Sequence, residues 1–146
     1  MLNAKLATAL TALLVLAVPA AAQAGKIAHR GSINGMAETK VKFVVKKRDG
    51  ELRRINDMAF IDVPYTCEDG PGGTISSNLE SFPISGNDFN RRATLEGAAI
   101  EKGSVRVTGE FSNGGRRAAG TVRFSFDLTA STGCGTDEVG WRTRKR

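Results

Sequence analysis

Residues 104–128 read SVRVTGEFSNGGRRAAGTVRFSFDL, and this stretch decides the fold. Val105, Val107, Gly109 and Phe111 share one parity, and Ser104, Arg106, Thr108 and Glu110 share the other. After Ser112-Asn113-Gly114-Gly115, Val122, Phe124, Phe126 and Leu128 alternate with Thr121, Arg123, Ser125 and Asp127. Alternation with period two on both sides of a glycine-rich turn marks two antiparallel strands, each with one buried face. The small residues Ala118, Ala119 and Gly120 leave room for a neighbouring backbone to come close.

The same pattern recurs upstream. Val41, Phe43 and Val45 face one way, and Lys40, Lys42, Val44 and Lys46 the other. Arg48-Asp49-Gly50 follows, and Asp-Gly between apolar-bearing segments is a hairpin signal. In the return strand Leu52 and Ile55 are three apart, so a bulge near Arg53-Arg54 is needed to keep both inside. Met58, Phe60 and Ala59, Ile61, Val63 are apolar on both parities, as in a strand covered on both faces. Pro64 donates nothing to a ladder and belongs at a strand end or edge.

Other segments are weaker. Residues 25–33 read as a short first strand at a sheet edge, with His29 as a solvated polar residue. Asn34-Gly35 marks a turn. Residues 68–78, around Asp69-Gly70-Pro71-Gly72-Gly73, read as a loop. Residues 82–84 and 92–97 are short strands, with a turn at 85–88 and Phe89 inserted into the core. Val139 and Trp141 share a face of a last strand, Trp141 as a core plug, and residues 142–146 form a basic, frayed tail. Only residues 33–40 and 76–79 leave room for a turn of helix. The chain is therefore expected to be all-β, an antiparallel β-sandwich of about eight short strands, with a barrel as the second architecture.

The beginning of the chain has the form of an export signal: one charge at Lys5, an uncharged apolar run over residues 6–18, Pro19, and small residues up to Ala24. Residues 1–24 are read as a cleavable signal peptide, with cleavage after Ala24 (after Ala22 as the alternative). Residues 25–141 form one domain, followed by the tail at 142–146. No second apolar run follows, so no membrane span is expected after cleavage. The expected location is extracellular or in the cell envelope, the periplasm if the cell is Gram-negative. In an exported chain the only two cysteines, Cys67 and Cys134, read as a disulfide. Closing so long a loop stabilises by on the order of 4 kcal/mol on the chain-entropy estimate.

Catalytic chemistry finds little material. A hydrolase triad or zinc site needs histidines or free thiols, and His29 is the only histidine. Glu68-Asp69 and Asp137-Glu138 match no calcium-loop spacing. A carboxylate-based hydrolase needs two opposed acids, and none of the 15 acidic residues stands out as a pair. No catalytic residue, metal ligand or cofactor is assigned. Charge offers more: net +6, or +5 without Lys5. Lys40, Lys42, Lys46, Arg142, Arg144, Lys145 and Arg146 are the candidate contacts for anionic cell-wall polymers, lipopolysaccharide or nucleic acid, against the alternative of ordinary solvated strand surface.

Val63-Pro64-Tyr65-Thr66-Cys67-Glu68-Asp69-Gly70, followed by Phe124-Ser125-Phe126 and by Cys134 ahead of Trp141, resembles a group of small secreted bacterial β-domains. That resemblance implies an all-β fold and carries over no functional residue. The chain is thus read as a non-catalytic, monomeric, secreted or envelope β-domain with a binding or structural role, with a polyanion-binding module as the first alternative.

Overall fold

The computed structural model describes residues 24–146. The signal-peptide reading lies outside the described residues except for Ala24, which already belongs to a strand. Ten antiparallel strands follow in chain order: β1 (Ala24–Ile33), β2 (Met36–Arg48), β3 (Glu51–Tyr65), β4 (Gly73–Leu79), β5 (Phe82–Pro83), β6 (Asp88–Thr94), β7 (Ile100–Ser112), β8 (Arg117–Leu128), β9 (Cys134–Gly135) and β10 (Val139–Lys145). They make one sheet in the order β4-β3-β2-β1-β10-β8-β7-β6, with β5 beside β3 and β9 beside β8. The all-β, disulfide-bonded fold is as expected. The main strands are longer than expected, and the hydrogen-bonded path is a single sheet whose ends, β4 and β6, share no ladder.

Each half of the chain is a meander of hairpins. The β7–β8 hairpin pairs Val105 with Phe124 and Val107 with Val122, and turns through a 3-10 segment (Asn113–Gly115). The β2–β3 hairpin turns at Asp49 and Gly50, both at positive φ (52° and 76°), as a two-residue turn compatible with strand twist requires. Strand pairing joins the halves in two places. One is the β1–β10 ladder, from His29–Lys145 to Ile33–Trp141. The other is the Thr66–Gly135 bridge, beside which Cys67 and Cys134 form the disulfide, with an S–S distance of 2.02 Å.

Four expectations need correction. β1 is internal, between β2 and β10, not at an edge. Residues 73–79 are strand β4 rather than loop or helix, because hydrogen bonding to β3 outweighs their weak apolar pattern. Residues 33–40 hold no helical turn, since Met36 already pairs with Ile33. Residues 142–145 do not fray: they belong to β10, held on both sides by β1 and β8, and the Arg146 N–H donates to the Ala28 carbonyl.

β3 also departs from the two-face reading. Its register shifts opposite Lys46/Lys47, opposite Lys42/Val44, and against β4 between Phe60 and Val63. Each bulge inserts a residue, so Leu52, Ile55, Met58, Phe60 and Val63 all turn inward despite their three-residue spacings. The first bulge falls at the expected Arg53. At the other two, Asp57 (φ 52°) and Asp62 (φ 56°) adopt the left-handed conformation that Asp tolerates better than most side chains.

The core is built around Trp141, which is fully buried. Its register row is Trp141–Gly120–Gly109–Phe89 across β10, β8, β7 and β6. Because Gly109 lacks a side chain, the indole can stack on Phe89 there (centroids 6.0 Å, 28°), while Phe43 meets it edge-on; Gly120 instead lets the β7 backbone come close. A Cβ on Gly109 would collide with the Phe89 ring and reach Trp141. The indole N–H points between the carbonyls of Thr108 and Thr121, 3.2 Å from each, so a buried donor is satisfied.

Candidate polyanion-binding face

The face opposite this core is set by alternation on four adjacent strands. With Val41, Phe43 and Val45 buried, Lys42 must point outward from β2. Burial of Ile27 and His29 turns Arg30 outward from β1, Trp141 and Thr143 do the same for Arg144 on β10, and Ala118 for Arg117 on β8. The register then aligns them: Lys42 is opposite Arg30, Arg30 opposite Arg144, and Arg144 opposite Arg117. Adjacent strands lie about 4.8 Å apart, so four cations stand in a row of about 14 Å.

Among the described residues no ion pair engages this row; the exposed Glu110 of β7 is opposite Ala119, diagonal to Arg117 at its end. The outward residues two positions away along the four strands are Lys40, Val44, Ala28, Ser32, Arg142, Arg146 and Ala119, none of them acidic. Among the described residues the one ion pair is Arg53 with Glu51 at 2.6 Å, elsewhere and exposed. Like charges directly opposite each other in a sheet are destabilising.

The seven residues singled out in the sequence are distributed unevenly. Lys42 and Arg144 share the central row. Lys46 lies between Lys26 and Arg54 in a second, shorter row. Lys40 faces Ile61, and Arg142 lies between Ser32 and Ala119 with its Nε–H donated to the Asn34 side chain at 2.8 Å. Lys145 is opposite His29, and Arg146 follows at the strand's end. Arg117, at the end of the row, belongs to the basic doublet Arg116-Arg117 that the sequence shows as patch material, whereas Arg30 escapes a reading of the sequence: its alternation is visible there, but the β1–β10 pairing that sets it beside Arg144 is not. In the doublet Arg91-Arg92, Arg92 faces out and Arg91 faces in opposite Val107, its Nε buried and unpartnered. An inward charge at the β6 edge discourages addition of a further strand.

His29 is the clearest reversal. It is 1 % exposed, not solvated. Its Nε2 lies 2.8 Å from the Gly115 carbonyl, which only accepts, so Nε2 carries the proton. Nδ1 then accepts from the Thr143 hydroxyl at 3.0 Å. The ring stacks on Phe43 with centroids 4.7 Å apart. Burial lowers its pKa below the ordinary 6.5, while the hydrogen bond to Gly115 pulls the other way. His29 and Thr143 resemble a base and hydroxyl in composition only, since both are sealed in the core.

One member of each acidic pair beside the disulfide is also committed. Asp69 accepts from the side-chain hydroxyl and backbone N–H of Thr132, and these bonds hold its pKa below the usual carboxylate value. Glu138 accepts from Thr121. Among the described residues no group of three or more His, Cys, Asp or Glu side chains is placed to hold a metal ion, and no helix is long and apolar enough to cross a membrane. No protein-family model, curated protein or solved structure matches the chain.

Proposed function

We propose that this protein is a non-catalytic binding domain of the cell envelope or extracellular space that takes an anionic polymer on the outer face of β2, β1, β10 and β8. One observation carries the reading: Lys42, Arg30, Arg144 and Arg117 stand in register on adjacent strands with no carboxylate among them. A polyanion laid along the row relieves the repulsion and releases its own counterions. The guanidinium groups suit bidentate contact with phosphate, sulfate or carboxylate. All seven phenylalanines and Trp141 are buried, and the half-buried Tyr65 lies on β3, outside the four strands of this face, so the face itself offers no ring for base stacking and favours polymers read by charge over nucleic acid. The export-type start of the chain and the disulfide support a location outside the cytosol.

The test is binding of long-chain inorganic polyphosphate, measured by calorimetry, to the wild-type protein and to the Arg30→Ser/Arg144→Ser variant. We expect at least about ten-fold weaker binding by the variant with the fold intact. Equal affinity would refute the assignment.

A further inference from the structure

A second outer surface, on the other half of the sheet, has different chemistry. The register sets Thr94 opposite Ser104, Ser104 opposite Ser125, Ser125 opposite Gly135, and Gly135 opposite Thr66. Burial of Val105, Phe124 and Phe126 on the inner face places this row outside. It is the floor of a groove of about 1180 Å³, walled by the 95–99 connection on one side and by the disulfide region on the other. The floor spans five strand positions, about 19 Å.

The two flanks differ in charge. Two residues along the strands the register continues as Arg92–Arg106–Arg123, of which Arg92 and Arg123 line the groove, joined there by Asp137, which follows the Thr136 that donates its N–H to the Phe124 carbonyl. On the other side Lys102 is opposite Asp127, one oxygen of which accepts the Gly133 N–H at 2.8 Å, with Glu68 packed close to Gly133 beyond it and Glu96 and Glu101 also on the lining. Neither flank neutralises the other, since none of these groups belongs to the one ion pair among the described residues. The groove thus offers hydroxyls on its floor, two guanidinium groups beside Asp137 on one flank and mostly carboxylates, with Lys102 among them, on the other.

The geometry points to a binding site for an acidic saccharide in this groove, with the acid groups of the sugar on Arg92 and Arg123 and its ring hydroxyls shared between the Ser/Thr floor and the carboxylates of Glu68 and Asp127. A carboxylate accepts readily from a hydroxyl, and a guanidinium pairs with a planar acid group through two bonds. An anion without hydroxyls would meet repulsion from the carboxylate flank. A neutral sugar would leave the arginines unused. Only a ligand bearing both groups matches floor and flanks together.

The test uses the full, disulfide-bonded protein labelled with ¹⁵N and titrated with tetragalacturonate, maltotetraose or tripolyphosphate. Tetragalacturonate is expected to shift the amide signals of Ser104, Ser125 and Gly135 saturably, with half-saturation at least about ten-fold below that of the other two ligands. The response should weaken by a similar factor in Arg123→Gln/Ser125→Val, and in Arg92→Gln as an independent variant on a different strand. It should be unchanged in Arg30→Ser/Arg144→Ser, whose loss of polyphosphate binding tests the other face separately. Absence of saturable shifts at these amides, equal response to maltotetraose, or loss of the response in Arg30→Ser/Arg144→Ser would overturn the assignment.

Discussion

Two rows of residues cross β10 in register, one on each face of the sheet, and their energetics have opposite sign. Inside, Trp141–Gly120–Gly109–Phe89 lets two large rings meet where Gly109 has no side chain, with the indole N–H satisfied. Outside, Lys42–Arg30–Arg144–Arg117 sets cation against cation with none of the four in an ion pair. The inner row stabilises the fold, and the outer row costs stability unless something external carries negative charge to it. One strand carrying both shows how the core can hold rigid a surface arrangement that is unfavourable by itself.

Breaking the inner row should have the largest effect. Trp141→Ala removes the central plug and is expected to cost about 3–5 kcal/mol, read from chemical denaturation. A loss below about 1 kcal/mol would mean that the indole is not central to the core. The disulfide comes next, because it secures the second join between the halves. Cys67→Ala/Cys134→Ala is expected to lose about 2–4 kcal/mol, measured in the same way. An unchanged denaturation midpoint would show the bridge to be energetically idle.

His29 sits between the two rows in effect. Its pKa is lowered in the folded state, so the unfolded chain binds the proton more readily. Its neutral form is accommodated in full above about pH 6.5, and stability is lost as the pH falls from there toward the lowered folded value. The Tm of the wild type should therefore drop more between about pH 7 and about pH 5 than that of His29→Phe, which removes the titrating group. Parallel profiles would rule out this source of acid sensitivity. The smallest effect has the opposite sign: Arg30→Thr should raise stability by about 0.2–1 kcal/mol while weakening polyanion binding. A loss of stability would show that the outer row does not repel itself in the free protein.

These rows also show what can be read from a chain like this. The parity of Val105, Phe124, Lys42 and Trp141 is local information, and each side chain's face follows from it. The hairpin at Asp49-Gly50 and the bulge at Arg53 follow from nearest neighbours for the same reason. The pairing of β1 with β10 joins residues at opposite ends of the described chain, as His29 with Lys145, and no local pattern encodes it. Sequence reasoning misplaces His29 for that reason, since only the neighbour on its far side encloses it, and it misplaces residues 142–145 likewise. Asp57 and Asp62 hide the phase of β3 because a bulge re-phases a strand without changing its composition. Lys42, Arg144 and, through the doublet Arg116-Arg117, Arg117 stand out from charge alone. Arg30 needs the register.

The most direct test of the outer row is the dependence of polyphosphate affinity on salt. Each cation removed from the row should reduce the slope of log K against log salt by about 0.7–0.9, the range for nucleic-acid phosphates. Arg30→Ser/Arg144→Ser should therefore have a slope shallower than wild type by about 1.4–1.8 with its melting temperature no lower. Equal slopes for the two proteins would contradict the account.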